Sequence, residues 1–180
     1  MPPGMSALDP FTVPRIVERI GGRRRVHHAP TPTEDAIVAG LSALLSGPYR
    51  FAEGGPGGWL ILERPRLALG DDRLQPDLAG WRMARVPRLP DTTPLPVAPD
   101  FICEVEGPGD ARVDRVVKRD AYGRHGVPAV WLLDQEHRLL EAHLCGPEGW
   151  STKYVDLKSG RPVSVAPFGD VPVALGRAWP

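Results

Sequence analysis

Apolar residues at Ile37, Leu41, Leu44 and Leu45 recur at i, i+4, i+7 and i+8, which predicts one buried face of a helix. Thr33 reads as its N-cap, Glu34 and Asp35 fall in the first turn, and Gly47-Pro48 marks its end. A second stripe, Val113, Val116, Val117 and Ala121, predicts another helix. Asp110 is a candidate cap for it, and Gly126 and Pro128 close it. Elsewhere the apolar residues come in short runs, the mark of strands. These are Trp59–Glu63, Arg66–Leu69, a strand opening at Asp77, Phe101–Glu106 and Ala129–Asp134. "RLLEAHLC" and "WSTKYVDL" alternate more and read as antiparallel outer strands.

The strand, helix and strand between residues 101 and 134 favour a right-handed parallel crossover, and the other connections favour hairpins. The expected fold is α/β, a mixed central sheet flanked by helices in one domain. Prolines crowd residues 1–32, so residues 1–30 read as a partly ordered arm ahead of a domain at 31–180. A short helix is expected around Val13–Ile20, closed by Gly21-Gly22. The proline-rich stretch from Pro87 to Pro99 is either an active-site flap or a surface excursion.

Composition narrows this picture. Of 180 residues, 22 are proline and 20 glycine, so much of the backbone must lie in turns; 42% are hydrophobic, enough for an ordinary core. Formal net charge is zero, which argues against a non-specific DNA coater and requires a local basic patch for any nucleic-acid contact. Arg23, Arg24 and Arg25 form either a solvated turn or strand edge, or a phosphate-contacting cluster. Cys103 and Cys145 have neither disulfide-framework nor zinc spacing and read as buried thiols. His27 and His28 are adjacent and would point apart on a strand, which disfavours shared metal binding. No run is long enough to span a bilayer, so a soluble cytoplasmic protein is expected.

Three residues carry candidate chemistry. Asp77 follows Pro76 at the opening of a strand, and Glu104 sits among Ile102, Cys103 and Val105 in a strand that ought to be buried. A lone buried carboxylate is costly unless a cation compensates it. Glu106 faces the same side as Glu104. Asp114, Lys118 and Tyr122 share one face of the following helix, so Lys118 is either an exposed partner of Asp114 or a member of the site. Two acids and a lysine are the minimal set for metal-dependent phosphodiester cleavage.

The run "QPDLAGW…PDFICEVEGPG…DRVVKRDAYGRHGVPAVWLLD" resembles the Uma2 family, bacterial restriction-endonuclease candidates placed in the PD-(D/E)xK nuclease superfamily. The likeness spans about Thr31 to Tyr154 and is strongest from Leu74 to Asp134. It implies metal acids at Asp77 and Glu104, and a lysine that has migrated to the helix, matched by Lys118. Glu106 stands where much of the superfamily has its lysine. Glu34 stands where many family members have a histidine. The expected activity is Mg²⁺- or Mn²⁺-dependent cleavage of nucleic acid, DNA above RNA. Asp77, Glu104 and the Val105 carbonyl would hold the ion, and Glu34, Glu106 and Tyr122 are additional candidates. Arg82, Arg85, Arg88, Arg115 and Arg119 are candidate phosphate contacts, and a homodimer is expected. The alternative is a non-catalytic nucleic-acid-binding or interaction protein on the same scaffold.

Overall fold

The structure, a computed structural model, describes residues 16–106 and 112–180. Its first element overturns the expected helix before Gly21-Gly22. Strands β1 (Ile16–Ile20) and β2 (Arg23–His27) form a hairpin instead. Ile16, Glu18 and Ile20 alternate with exposed residues, the period of a strand. Gly21 and Gly22 both adopt positive φ, 56° and 77°, as a two-residue hairpin turn of the primed kind requires. Val13 lies outside the described residues, as do Asp110 and the side chains of Val113 and Asp114.

Helix α1 (Pro32–Tyr49) starts earlier than expected and ends later. Thr31, not Thr33, is the N-cap, and its hydroxyl accepts from Glu34 N–H while Glu34 accepts from Thr31 N–H. This reciprocal capping box, with Pro32 at the first helical position, sets the start. The helix runs through Gly47-Pro48 because Tyr49 is completely buried and bonded to Val171, which holds the last turn in place. Gly40 allows a close approach: a Cβ there would lie 2.8 Å from the Ala178 backbone.

The main sheet has six strands in the order β10-β9-β8-β7-β6-β3. These are β3 (Trp59–Glu63), β6 (Leu78–Arg82), β7 (Phe101–Glu106), β8 (Ala129–Asp134), β9 (Leu139–Gly146) and β10 (Gly149–Asp156). Only β7 and β8 are parallel, joined through α2 (Arg112–Arg124), as the crossover argument expects. A four-stranded sheet, β2-β1-β5-β4, adds β4 (Leu67–Leu69) and the unanticipated three-residue β5 (Asp72–Leu74). Hairpin β11 (Val163–Val165) and β12 (Phe168–Val173), and a 3-10 turn at Leu175–Ala178, were also not expected. The short β5 and β11, at three residues each, offer too little sequence for a period to register.

Two apolar cores lie on opposite faces of the main sheet. On one, α1 and β12 enclose an aromatic cluster in which Phe168 sits 4.8 Å from the rings of Tyr49, Trp59 and Phe101 and 5.6 Å from Trp131. On the other, Ala121 and Tyr122 of α2 pack with Trp81, Ile102, Val130 and Leu132, beside Ile20, Leu69 and Leu74 of the small sheet. The proline-rich loop is a surface excursion that lids this second core. Leu89, Leu95 and Val97 pack into it, and Trp81 Nε1 donates to the Val97 carbonyl at 3.1 Å. Cys103 is buried as expected, but Cys145 is exposed, on the solvent side near the end of β9.

Candidate active site

Strand register builds the site. Leu78 pairs with Cys103, Ala79 with Ile102 and Gly80 with Phe101. Carried one residue further, this antiparallel register puts Asp77 and Glu104 on one face. Past Cys103, β7 has no further ladder partner in β6, and the strands part. Asp77 fills the gap by accepting the Val105 N–H at 2.8 Å through Oδ2. The carbonyl of Val105 leaves the strand on the same side, because a residue's N–H and C=O address one neighbour.

Lys118 comes from α2, over the same face. It is not an exposed surface lysine: its side chain is 13% exposed, and Nζ stands 2.8 Å from Glu104 Oε2. One turn on, the Tyr122 hydroxyl donates to Glu104 Oε1 at 2.5 Å. Both oxygens of Glu104 are thus engaged, and the carboxylate is buried as its apolar neighbours imply.

Glu18 is a site residue that the sequence reading passed over. It is 1% exposed, its Oε2 lies 3.3 Å from Lys118 Nζ and 2.9 Å from His27 Nε2, and its Oε1 accepts the Gln75 N–H at 2.8 Å. The available signal was an acid at the inward-facing position of the alternating run "IVERI". Arg64 was missed as well. It bridges Asp77, at 3.3 Å, to Asp35, at 2.7 Å.

Three carboxylates around one buried lysine leave surplus negative charge. Burial, with Glu18 and Asp77 nearby, pushes Glu104 up to about 8 despite Lys118. Burial also raises Asp77, although the Val105 N–H, Lys118 and Arg64 oppose it. For Lys118, burial favours the neutral amine, but Glu104 and Glu18 outweigh it and hold the ammonium charged. Glu18 goes the other way. Burial works against its ionisation, yet Lys118, His27 and the Gln75 N–H bring it to about 2.

The remaining candidates divide. Glu34 lines the cavity, but its carboxylate is spent on the α1 cap. Glu106 shares the face with Glu104 and pairs with Arg115, which also reaches Glu141 at 3.2 Å. Arg115 lines the cavity; Arg119 instead pairs with its neighbour Asp120 and lies over the Trp150 ring. Arg82 is five residues along the strand from Asp77, about 17 Å away. It stacks on Trp59, while Arg85 is held by Asp100 at 2.8 Å and Arg88 is exposed on the lid loop. These three are not brought to the site. The cavity itself encloses about 300 Å³ between the β1–β2 hairpin, the start of α1 and the acid-bearing strands. Among the described residues, no three His, Cys, Asp or Glu side chains stand together at metal-ligand spacing. Among them, too, no helix is long and apolar enough to cross a membrane.

Comparison with known proteins agrees with this architecture. No curated protein matches the sequence. A crystal structure described as a putative nuclease belonging to DUF820, from Anabaena variabilis ATCC 29413, superposes with a TM-score of 0.72 at 18% identity, over 90% of each chain. At that identity the likeness establishes a shared fold. The family model Uma2, described as "Putative restriction endonuclease", matches residues 12–171, and the chain belongs to that family.

Proposed function

We propose that this chain is a divalent-metal-dependent endonuclease that hydrolyses phosphodiester bonds of DNA. The observation that carries the reading is the contact between Lys118 and Glu104 inside an acid-lined cavity, with Asp77 facing Glu104 across the strand gap. Family membership and the nuclease fold support it.

The residues fit a hard cation. Asp77, Glu104 and the Val105 carbonyl offer oxygen donors only, the set that suits magnesium or manganese. A carboxylate has about four lone-pair sites, so the bonds from Lys118, Tyr122 and the Val105 N–H leave room for an ion. The surplus negative charge around Lys118 favours one. When bound, the ion would stabilise charge on the scissile phosphate and acidify a water molecule. Lys118, held charged by Glu18 and Glu104, lines the cavity and has one N–H donor beyond those two contacts to orient that water or a phosphate oxygen. Tyr122 and Glu18 are positioning residues, the first fixing the Glu104 rotamer and the second the ammonium. A duplex has two strands to cut, which a two-fold homodimer would serve.

The competing reading is a non-catalytic nucleic-acid-binding or interaction protein. One observation favours it: every site acid already accepts from a lysine, arginine, tyrosine or backbone donor. Incubation of the purified chain with supercoiled plasmid, linear duplex and single-stranded DNA and RNA, in Mg²⁺ and in Mn²⁺, separates the two. Cleavage by the wild type, lost in Asp77→Asn with nucleic-acid affinity kept or raised, is the expected result. Equal cutting by both proteins removes Asp77 from the mechanism, and binding without cutting of any substrate favours the rival.

A further inference from the structure

The β1–β2 hairpin has two faces, and the cavity uses only one. Ile16, Glu18 and His27 point inward to the site. On the outer face the pairing register puts Arg24 opposite Arg19, and Arg19 opposite Arg73 of β5. Three arginines therefore form a straight row across three adjacent strands. All three are exposed. Neither Arg19 nor Arg24 has an ion pair with a described residue. Arg73 spends one nitrogen, Nη1, on the carbonyls of Gly70 and Asp72, both at 2.8 Å, which fixes its guanidinium and leaves its other donors free. Like charges directly opposite one another destabilise a sheet, so the fold gains nothing from this arrangement. It is also a sharp local excess in a chain whose net charge is zero.

We propose that this row is a phosphate-backbone contact surface for a nucleic-acid strand, continuous with the cavity around the outer edge of the β1–β2 hairpin. The dimensions match. Two strand spacings place the outer arginines about 10 Å apart, and one nucleic-acid strand carries about three phosphates over that rise. Among the described residues no further strand lies beside β2, and a polyanion passing over that edge would reach His27 and the cavity mouth. The inference rests on the nucleic-acid reading above, but not on cleavage.

The test is fluorescence anisotropy of labelled duplex and single-stranded oligonucleotides over a salt series in EDTA. It compares the wild-type chain with Arg19→Gln/Arg24→Gln and with the control Arg82→Gln/Arg88→Gln. The hairpin variant should bind duplex about tenfold more weakly at low salt, and its salt slope should flatten by about 1.8, two released counterion contacts. Arg19→Lys/Arg24→Lys should restore both, since a phosphate contact needs charge rather than a planar fork. Wild-type affinity and slope in the hairpin variant would overturn the proposal, as would an equal loss in the control or no binding by wild type. A defect seen on phosphatidylserine vesicles but not on oligonucleotides would overturn it in favour of a membrane surface. If the glutamine pair does not fold, the single substitution Arg24→Gln on the edge strand reads the same slope, with a flattening of about 0.9 expected. A parallel cleavage assay keeps the readings apart. Weakened binding by a variant of a chain that never cuts supports the arginine row while ending the nuclease reading.

Discussion

Strand β7 divides the molecule. Its odd-numbered residues, Phe101, Cys103 and Val105, enter the aromatic core beneath α1, whereas Glu104 and Glu106 enter the charged cavity beneath α2. One face is closed by rings at edge-to-face distances and packs apolar side chains against them. The other gathers Glu18, Asp77 and Glu104 about Lys118, with Glu106 and Arg115 beside them and a cavity left open. The period of a strand lets both coexist on six residues: stability is gathered on one side, and strain of like charge is tolerated on the other.

The comparison is most easily broken at Phe168. Phe168→Ala removes the ring that four other aromatics touch, and should cost about 3–5 kcal/mol in urea unfolding. The affinity of the folded protein for Mn²⁺, read by electron paramagnetic resonance, should stay unchanged. A stability loss below about 1 kcal/mol would mean that the aromatic face is not the dominant support. Lys118→Met comes next. It leaves Glu18 and Glu104 buried without their shared cation and should destabilise by about 3 kcal/mol. An unchanged unfolding midpoint would show that the acids simply take up protons.

Asp72 gives a smaller effect. Burial opposes its ionisation, but His125, the Gly21 N–H and Arg124 more than compensate, so its folded pKa is lowered. A depressed carboxyl contributes stability above its unfolded pKa, about 4, and loses it as pH falls below that value. Asp72→Asn should therefore cost about 1 kcal/mol at pH 7 and show a shallower acid limb than wild type in pH-dependent unfolding. Parallel limbs would remove Asp72 from the latch between the hairpin turn and α2. The smallest effect has the opposite sign. Glu104 is raised in the folded state, so it costs stability as pH climbs from its unfolded value toward about 8. Glu104→Gln should leave the unfolding midpoint at pH 8 equal or slightly higher while abolishing Mn²⁺ binding. A large destabilisation would show that the carboxylate serves the fold as well as the site.

Much of this was legible in the residues. The acid within "FICEVE" announced itself because a polar group in an apolar strand needs a partner, whereas spacing left Lys118 open between a surface pair and the site, and the family resemblance pointed it to the site. The strand, helix and strand from Phe101 to Asp134 also emerged with its direction. Glu18 did not, because one acid in a five-residue strand flanked by prolines and arginines is also what a solvated segment looks like. The Thr31 cap was hidden by the equally suitable Thr33, and only the Glu34 spacing three residues on separates them. Arg82 and Arg85 looked like phosphate contacts by composition. The distance of Arg82 from Asp77 along an extended strand was countable from the sequence and argues otherwise, and Arg85 lies in the turn beyond it.

The contact between Glu18 and Lys118 joins residues a hundred positions apart. During synthesis the hairpin emerges first, yet its buried acid has no lysine to meet until α2 has also left the ribosome and β7 has formed. Contacts of such long sequence separation are slow to close. The cavity accordingly acquires its charge balance only once the chain has been made as far as α2. A truncated or stalled chain ending before Lys118 carries the acids without the ammonium, and cannot assemble the centre that the finished protein holds.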